Sequence, residues 1–108
     1  MREAVDRLRQ EGIVCQKLET VSLAALGSRK RIDLYLGVDL DRYYCSVWHV
    51  RKRSRVVQKE VREWLALHAR LEAHTDRTIR KRYVWIEAPL CSKAKALLET
   101  EGWKVLVD

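Results

Sequence analysis

The sequence has 108 residues, 47% hydrophobic and 34% charged: enough for one compact core and too apolar for a disordered chain. Four Gly and one Pro exclude a collagen-like repeat, and no apolar run approaches the roughly 20 residues of a membrane-spanning helix. A formal charge of +7, from 22 Lys and Arg against 15 Asp and Glu, points to a polyanionic partner, the plainer alternative being solubility or charges that guard apolar strands against aggregation.

The chain opens on an amphipathic helix over residues 2–11, with Ala4, Val5 and Leu8 as its stripe and Gly12 as its stop. Residues 13–20 read as a strand, and 21–30, with Gly27-Ser28, as a loop or hairpin connection. Residues 31–38 alternate: Ile32, Leu34, Leu36 and Val38 take one face, and Arg31, Asp33, Tyr35 and Gly37 the other. After a turn at Asp39–Arg42, residues 43–51 form a strand that is apolar on both faces, as a central strand is. From about Ser54, a possible N-cap, the period becomes helical, with Val57, Val61, Trp64, Leu65, His68 and Leu71 on the stripe. A basic connection from Thr75-Asp76 leads to a strand at 82–87. Pro89 closes it, a helix over 92–101 follows with Ser92 as candidate cap and Gly102 as stop, and 103–107 are a final strand. The order α-β-β-β-α-β-α-β predicts an α/β fold of a single domain over 1–108. Its first three strands are antiparallel neighbours and its last two are parallel, in a mixed central sheet flanked by helices.

Cys15, Cys45 and Cys91 are odd in number and widely spaced, which predicts three ordinary thiols in a reducing cytoplasm, with no disulfide framework and no metal site. Met1 leads into a charged stretch rather than an apolar signal core, so the expected location is cytoplasmic, without a membrane partner. The positive charge is concentrated. Residues 29–55 carry eight cations against three anions, and 76–83 four against one, whereas 1–28 and 56–75 are balanced. The clusters are Arg29-Lys30-Arg31, Arg51-Lys52-Arg53 with Arg55, and Arg77 with Arg80-Lys81-Arg82, the last expected in a loop. They fall at the ends of predicted strands, which a fold can gather onto one edge, where they would contact phosphates of DNA or RNA by displacing counterions.

The element order and several local patterns resemble the PD-(D/E)XK, restriction-endonuclease-like superfamily, in particular its small Holliday-junction-resolvase-like bacterial members. The first helix has Ala4, Leu8 and Gly12 followed by Ile13-Val14; the second strand has Ile32-Asp33-Leu34; the third ends in Trp48-His49-Val50-Arg51-Lys52-Arg53-Ser54; and Gln58-Lys59 stand near the start of the next helix. The resemblance implies an αβββαβ core with a C-terminal αβ. It also implies a site in which acids on adjacent strands hold Mg²⁺ and a Lys two residues beyond the second acid shares its strand face. Here Asp33 is present, the second acid is replaced by His49 and the Lys by Arg51, while the first-helix Glu would fall at or before Met1, two places from Glu3. Arg cannot readily act as a base and His is a poorer partner for Mg²⁺, so the site Asp33–His49–Arg51 is degenerate.

Three functions follow, in this order: a nucleic-acid-binding protein with lost or impaired metal-dependent phosphodiesterase activity and no cofactor; an active nuclease with Asp33 and His49 as ligands of Mg²⁺ or Mn²⁺; and a structural or partner-binding protein. A homodimer is left open. The plainer readings are that Asp33 pairs with Arg31 or Arg51, that His49 is a hydrogen-bonded strand residue, and that the four Trp are core, with Tyr35 and Tyr43 the candidates for a polar cleft.

Overall fold

The computed structural model, which describes residues 2–107, has the order α1 (Arg2–Gln10), β1 (Gln16–Val21), a single 3-10 turn (Leu23–Leu26), β2 (Ile32–Val38), β3 (Tyr44–Arg51), α2 (Gln58–Thr75), β4 (Ile79–Glu87), α3 (Ser92–Thr100) and β5 (Trp103–Val107). The five strands form one sheet in the order β1-β2-β3-β4-β5. β1–β2 and β2–β3 are antiparallel; β3–β4 and β4–β5 are parallel, each parallel pair joined by a crossover helix. The mixed sheet with helices on both faces follows the element order that the alternation of periods predicts, and it is the restriction-endonuclease-like architecture that the resemblance implies.

Each face of the sheet has its own core. α2 and α3 cover one face, where Leu34, Trp48, Val50, Val84 and Ile86 meet Val61, Trp64, Leu71 and Leu98. α1 covers the other through Ala4 and Leu8, joined by Ile13, against Tyr35, Val47, Trp85 and Leu106. β3 runs between them and is buried from Cys45 to Val50, so it is the central strand that its two apolar faces predict.

Several local expectations are corrected. The 21–30 connection contains a 3-10 turn whose Leu23 and Leu26 enter the core. Ser54 is not the N-cap of α2: the helix begins at Gln58 behind Val57. The intervening Val56 is drawn into a parallel bridge with Leu90, with Val56 N–H donating to Pro89 O (2.8 Å) and Cys91 N–H to Val56 O (3.0 Å). That tertiary pairing outweighs a local cap. In the same way Cys91, not Ser92, precedes α3. β4 starts at Ile79, so Arg80, Lys81 and Arg82 lie on a strand and not in a loop.

The cysteine expectation is also corrected. Cys15 and Cys45 form a disulfide across a sequence separation of 30, leaving Cys91 free. The spacing carries no sequence signature because the bond joins the segment ahead of β1 to β3, which only the folded sheet brings together. Cys45 pairs in register with Gly37 on β2, and Cys15 reaches over that glycine from the start of β1. Closing a loop of this length stabilises a fold by about 3–4 kcal/mol on a chain-entropy account. The crossing requires the glycine, since a Cβ at Gly37 would stand 2.6 Å from the Gln16 carbonyl oxygen and 2.9 Å from Cys15 Sγ. Gly37→Ala is expected to destabilise the protein by about 1–3 kcal/mol, read as a lowered urea midpoint; an unchanged midpoint would contradict the crossing.

His68, on the buried face of α2, lies between Trp48 and Trp103 at ring-centroid distances of 6.2 and 5.4 Å. Burial lowers its pKa to about 4, partly offset by Glu72, while Arg82 adds to the depression. A histidine lowered from its ordinary 6.5 is neutral in the fold, and the unfolded chain binds the extra proton. The stability this contributes is full above pH 6.5 and is lost as pH falls toward 4, by about 3 kcal/mol in all. Denaturant titrations across that window should show this loss, and His68→Gln should flatten it.

Candidate functional site

β2 enters the sheet where β3 leaves it. Their antiparallel register sets Asp33 opposite His49 and Ile32 opposite Val50. Side chains two apart on a strand share a face, so Asp33, Tyr35, His49 and Arg51 all point toward α1. The first turn of α1 closes over them. Arg2, Glu3 and Ala4 join those four residues around a cleft of about 240 Å³. The three residues singled out from sequence therefore converge, and Tyr35 joins them. Tyr43 does not: it lies exposed at the opposite end of the sheet with Arg80 over its ring at 4.9 Å.

Arg51 is the hub of the cleft. Its Nη2 donates to Asp33 Oδ2 at 2.9 Å, and its Nη1 lies 3.7 Å from Glu3 Oε2. Asp33 thus pairs with Arg51, not Arg31. His49 is 3% exposed; its ring stacks on Trp85 with centroids 3.9 Å apart and planes 3° from parallel. Its Nε2 is 2.6 Å from Glu87 Oε2. Burial, and next the Asp33 carboxylate, raise the Tyr35 phenol above its ordinary pKa, so it stays a neutral donor. Sequence reasoning missed Glu87. Strand parity puts it on the face of Trp85, but only the parallel register, with Arg51 opposite Glu87, brings it to His49. The first-helix acid was expected at or before Met1, which lies outside the described residues; Glu3 is the acid of α1 that lines the cleft. Lys52 turns to the other face, where its Nζ holds Glu60 at 2.5 and 2.6 Å.

Two of the three basic clusters meet. Arg29, Lys30 and Arg31 precede β2, and Arg51, Lys52, Arg53 and Arg55 follow or end β3, at the same end of the sheet. Arg77, Arg80, Lys81 and Arg82 do not join them. β4 runs parallel to β3, so its start lies beside Tyr44, at the far end of an eight-residue strand and roughly 25 Å away. There Arg77 sits over the Tyr44 ring at 4.5 Å, and Arg82 donates to Glu101 O at 2.9 Å. At the cleft end Lys30 pairs with Glu63, which lowers the Glu63 pKa, and Lys52 with Glu60. Among the described residues no carboxylate pairs with Arg29, Arg31, Arg53 or Arg55.

The arrangement does not fit a hard divalent ion. Mg²⁺ needs several oxygen ligands in near-octahedral geometry. Among the described residues no group of three or more His, Cys, Asp or Glu side chains is placed to hold a metal. Asp33 is occupied by a guanidinium and His49 by a carboxylate. A permanent cation, the Arg51 guanidinium, stands between Asp33 and Glu3.

The two pairs of the cleft differ in burial and so in worth. Asp33→Ala removes an exposed pair and should cost less than about 1 kcal/mol. His49→Ala removes a buried, stacked ring together with its hydrogen bond and should cost about 2–4 kcal/mol. Equal costs in parallel urea titrations would contradict this division.

No family model matches the sequence, and no curated protein does. Three solved structures match it: the apo form of EndoMS (TM-score 0.60, 18% identity, 99% of this chain and 44% of that one), a repair endonuclease from Pyrococcus abyssi (0.57, 17%, 99% and 44%), and an EndoMS–dsDNA complex (0.55, 21%, 100% and 42%). The chain spans less than half the length of these proteins. At such identities the likeness is one of fold, and it agrees with the sheet order and helix placement described above: the fold is restriction-endonuclease-like.

Proposed function

We propose that this chain is a nucleic-acid-binding protein of the nuclease-like superfamily, whose cleft contacts phosphate and has lost metal-dependent hydrolysis. The observation that carries the reading is the guanidinium of Arg51 held between Asp33 and Glu3, at the end of the sheet where Arg29, Arg31, Arg53 and Arg55 also stand without carboxylate partners. The half-exposed Arg51 guanidinium can take a phosphate oxygen in place of one of its carboxylates, and the positive field at this end comes from the arginines that have no carboxylate partner among the described residues. The free arginines supply the counterion-displacing contacts that give affinity without sequence preference. The partner is DNA or RNA. Arg77, Arg80, Lys81 and Arg82 form a separate basic region at the opposite pole, where rings of Tyr43 and Tyr44 hold two of them.

A second reading is favoured by one observation. Glu3 and Glu87 bring further carboxylates around Asp33 and His49, so an active phosphodiesterase using Asp33 and His49 with Mg²⁺ or Mn²⁺ requires that Arg51 release Asp33 and Glu87 release the His49 ring. Incubation of labelled DNA and RNA with either ion separates the two. No cleavage supports the first reading; cleavage abolished by Asp33→Ala supports the second.

Binding itself is tested by fluorescence anisotropy from about 50 to 300 mM salt. Four free arginines predict a slope of log affinity against log salt of about −3 to −4 on duplex DNA, becoming shallower in the Arg29→Ala, Arg31→Ala double variant. Negligible affinity at low salt, or affinity indifferent to salt, would remove the nucleic-acid reading altogether.

A further inference from the structure

The cleft is not isolated. Arg51, at its rim, also lines a second cavity of about 350 Å³, with Arg31, Lys52 and Trp64. Lys30 in turn links that cavity to a third, of about 440 Å³, between the Gly27–Lys30 segment and α2. The third is floored by Ala66 and Leu67 and edged by Arg29 and Arg70. Arg70 Nη1 donates to Leu26 O at 3.4 Å, which holds the guanidinium beside the Gly27 turn. Its charge belongs to none of the basic runs of the sequence, because it sits alone on the balanced surface of α2. Among the described residues it has no carboxylate partner.

We infer that these three cavities are one track for an unpaired nucleic-acid strand. It passes from the Asp33–His49 cleft across Arg51 and Arg31 to Arg29 and Arg70. The inference rests on the phosphate-binding reading above and adds the form of the ligand and a contact residue, Arg70. The argument for an unpaired strand is geometric. The cleft opens on the α1 face of the sheet, among Tyr35 and His49, whereas the second cavity opens on the α2 face, among Ile32, Val50 and Trp64. A ligand touching all three therefore bends around the ends of β2 and β3 within a molecule of 33 × 31 × 24 Å. Duplex DNA, with a persistence length of about 150 bp, does not follow such a bend; a single strand does, its backbone on the arginines and its sugars and bases against Ala66 and Leu67. Lys30 and Lys52, each already holding a glutamate, keep Glu63 and Glu60 from repelling it.

The test compares a single strand of about 12 nucleotides with the duplex of the same sequence, by anisotropy over a salt series. Arg70→Ala and Arg29→Ala are measured singly and together, with Lys95→Glu on α3 as a charge control and circular dichroism to verify folding. The expected result is tighter binding of the single strand, with its salt slope shallower by about 0.7 for each arginine removed and unaffected by Lys95→Glu. If the duplex binds at least as tightly, or the single strand binds with a slope that Arg70→Ala and Arg29→Ala leave unchanged, the track is wrong while nucleic-acid binding stands. If neither form binds to the unmodified protein, the phosphate-binding reading fails and takes the track with it.

Discussion

The register of β3 governs the position of every group in the cleft. It is hydrogen-bonded to β2 on one side and β4 on the other, and both its faces are buried, so a slip by one residue would turn Trp48 and Val50 out of one core and Val47 out of the other. Such a slip is far more costly than anything the exposed ion pairs contribute. His49 and Arg51 are therefore carried to the strand end by hydrophobic packing, and their partners meet them there: Asp33 from the antiparallel side, Glu87 from the parallel side and Glu3 from the helix lying above.

The cleft is held together by polar pairs of unequal burial. The His49–Glu87 pair is partly buried and braced by stacking on Trp85, so it fixes geometry. The Arg51–Asp33 pair is half-exposed on both sides and screened by solvent, so it contributes little stability. This division keeps a rigid floor under a cation that remains available. The lysines nearby are neutralised by Glu60 and Glu63, whereas Arg29, Arg31, Arg53 and Arg55 have no carboxylate partner among the described residues.

The disulfide and Gly37 tie the same region from the other end. Cys15 lies between α1 and β1 and is anchored to β3 across β2. α1, which supplies Glu3 and covers the cleft, is therefore joined covalently, through five residues of turn, to the strand that bears His49 and Arg51. An expectation of free thiols, reasonable from odd number and wide spacing, fails because a bond across two strands leaves no mark in sequence.

Hydrophobic period alone determined the order of helices and strands, the central place of β3, and the common strand face of Asp33 with Tyr35 and of His49 with Arg51. These properties are local, since a strand alternates with period two whatever lies beside it. Strand pairing, crossing and bonding are relations between distant segments, and only the tertiary structure decided them. It brought Glu87 to His49 through a parallel register, moved the start of α2 past Ser54 by pairing Val56 with Leu90, and sent the Arg77–Arg82 cluster to the far pole because β4 runs parallel to β3. It also set Arg70 and Arg29 around one cavity. Residues far apart in a chain acquire a common function only when packing fixes the distance between them, and one-dimensional spacing does not contain that distance.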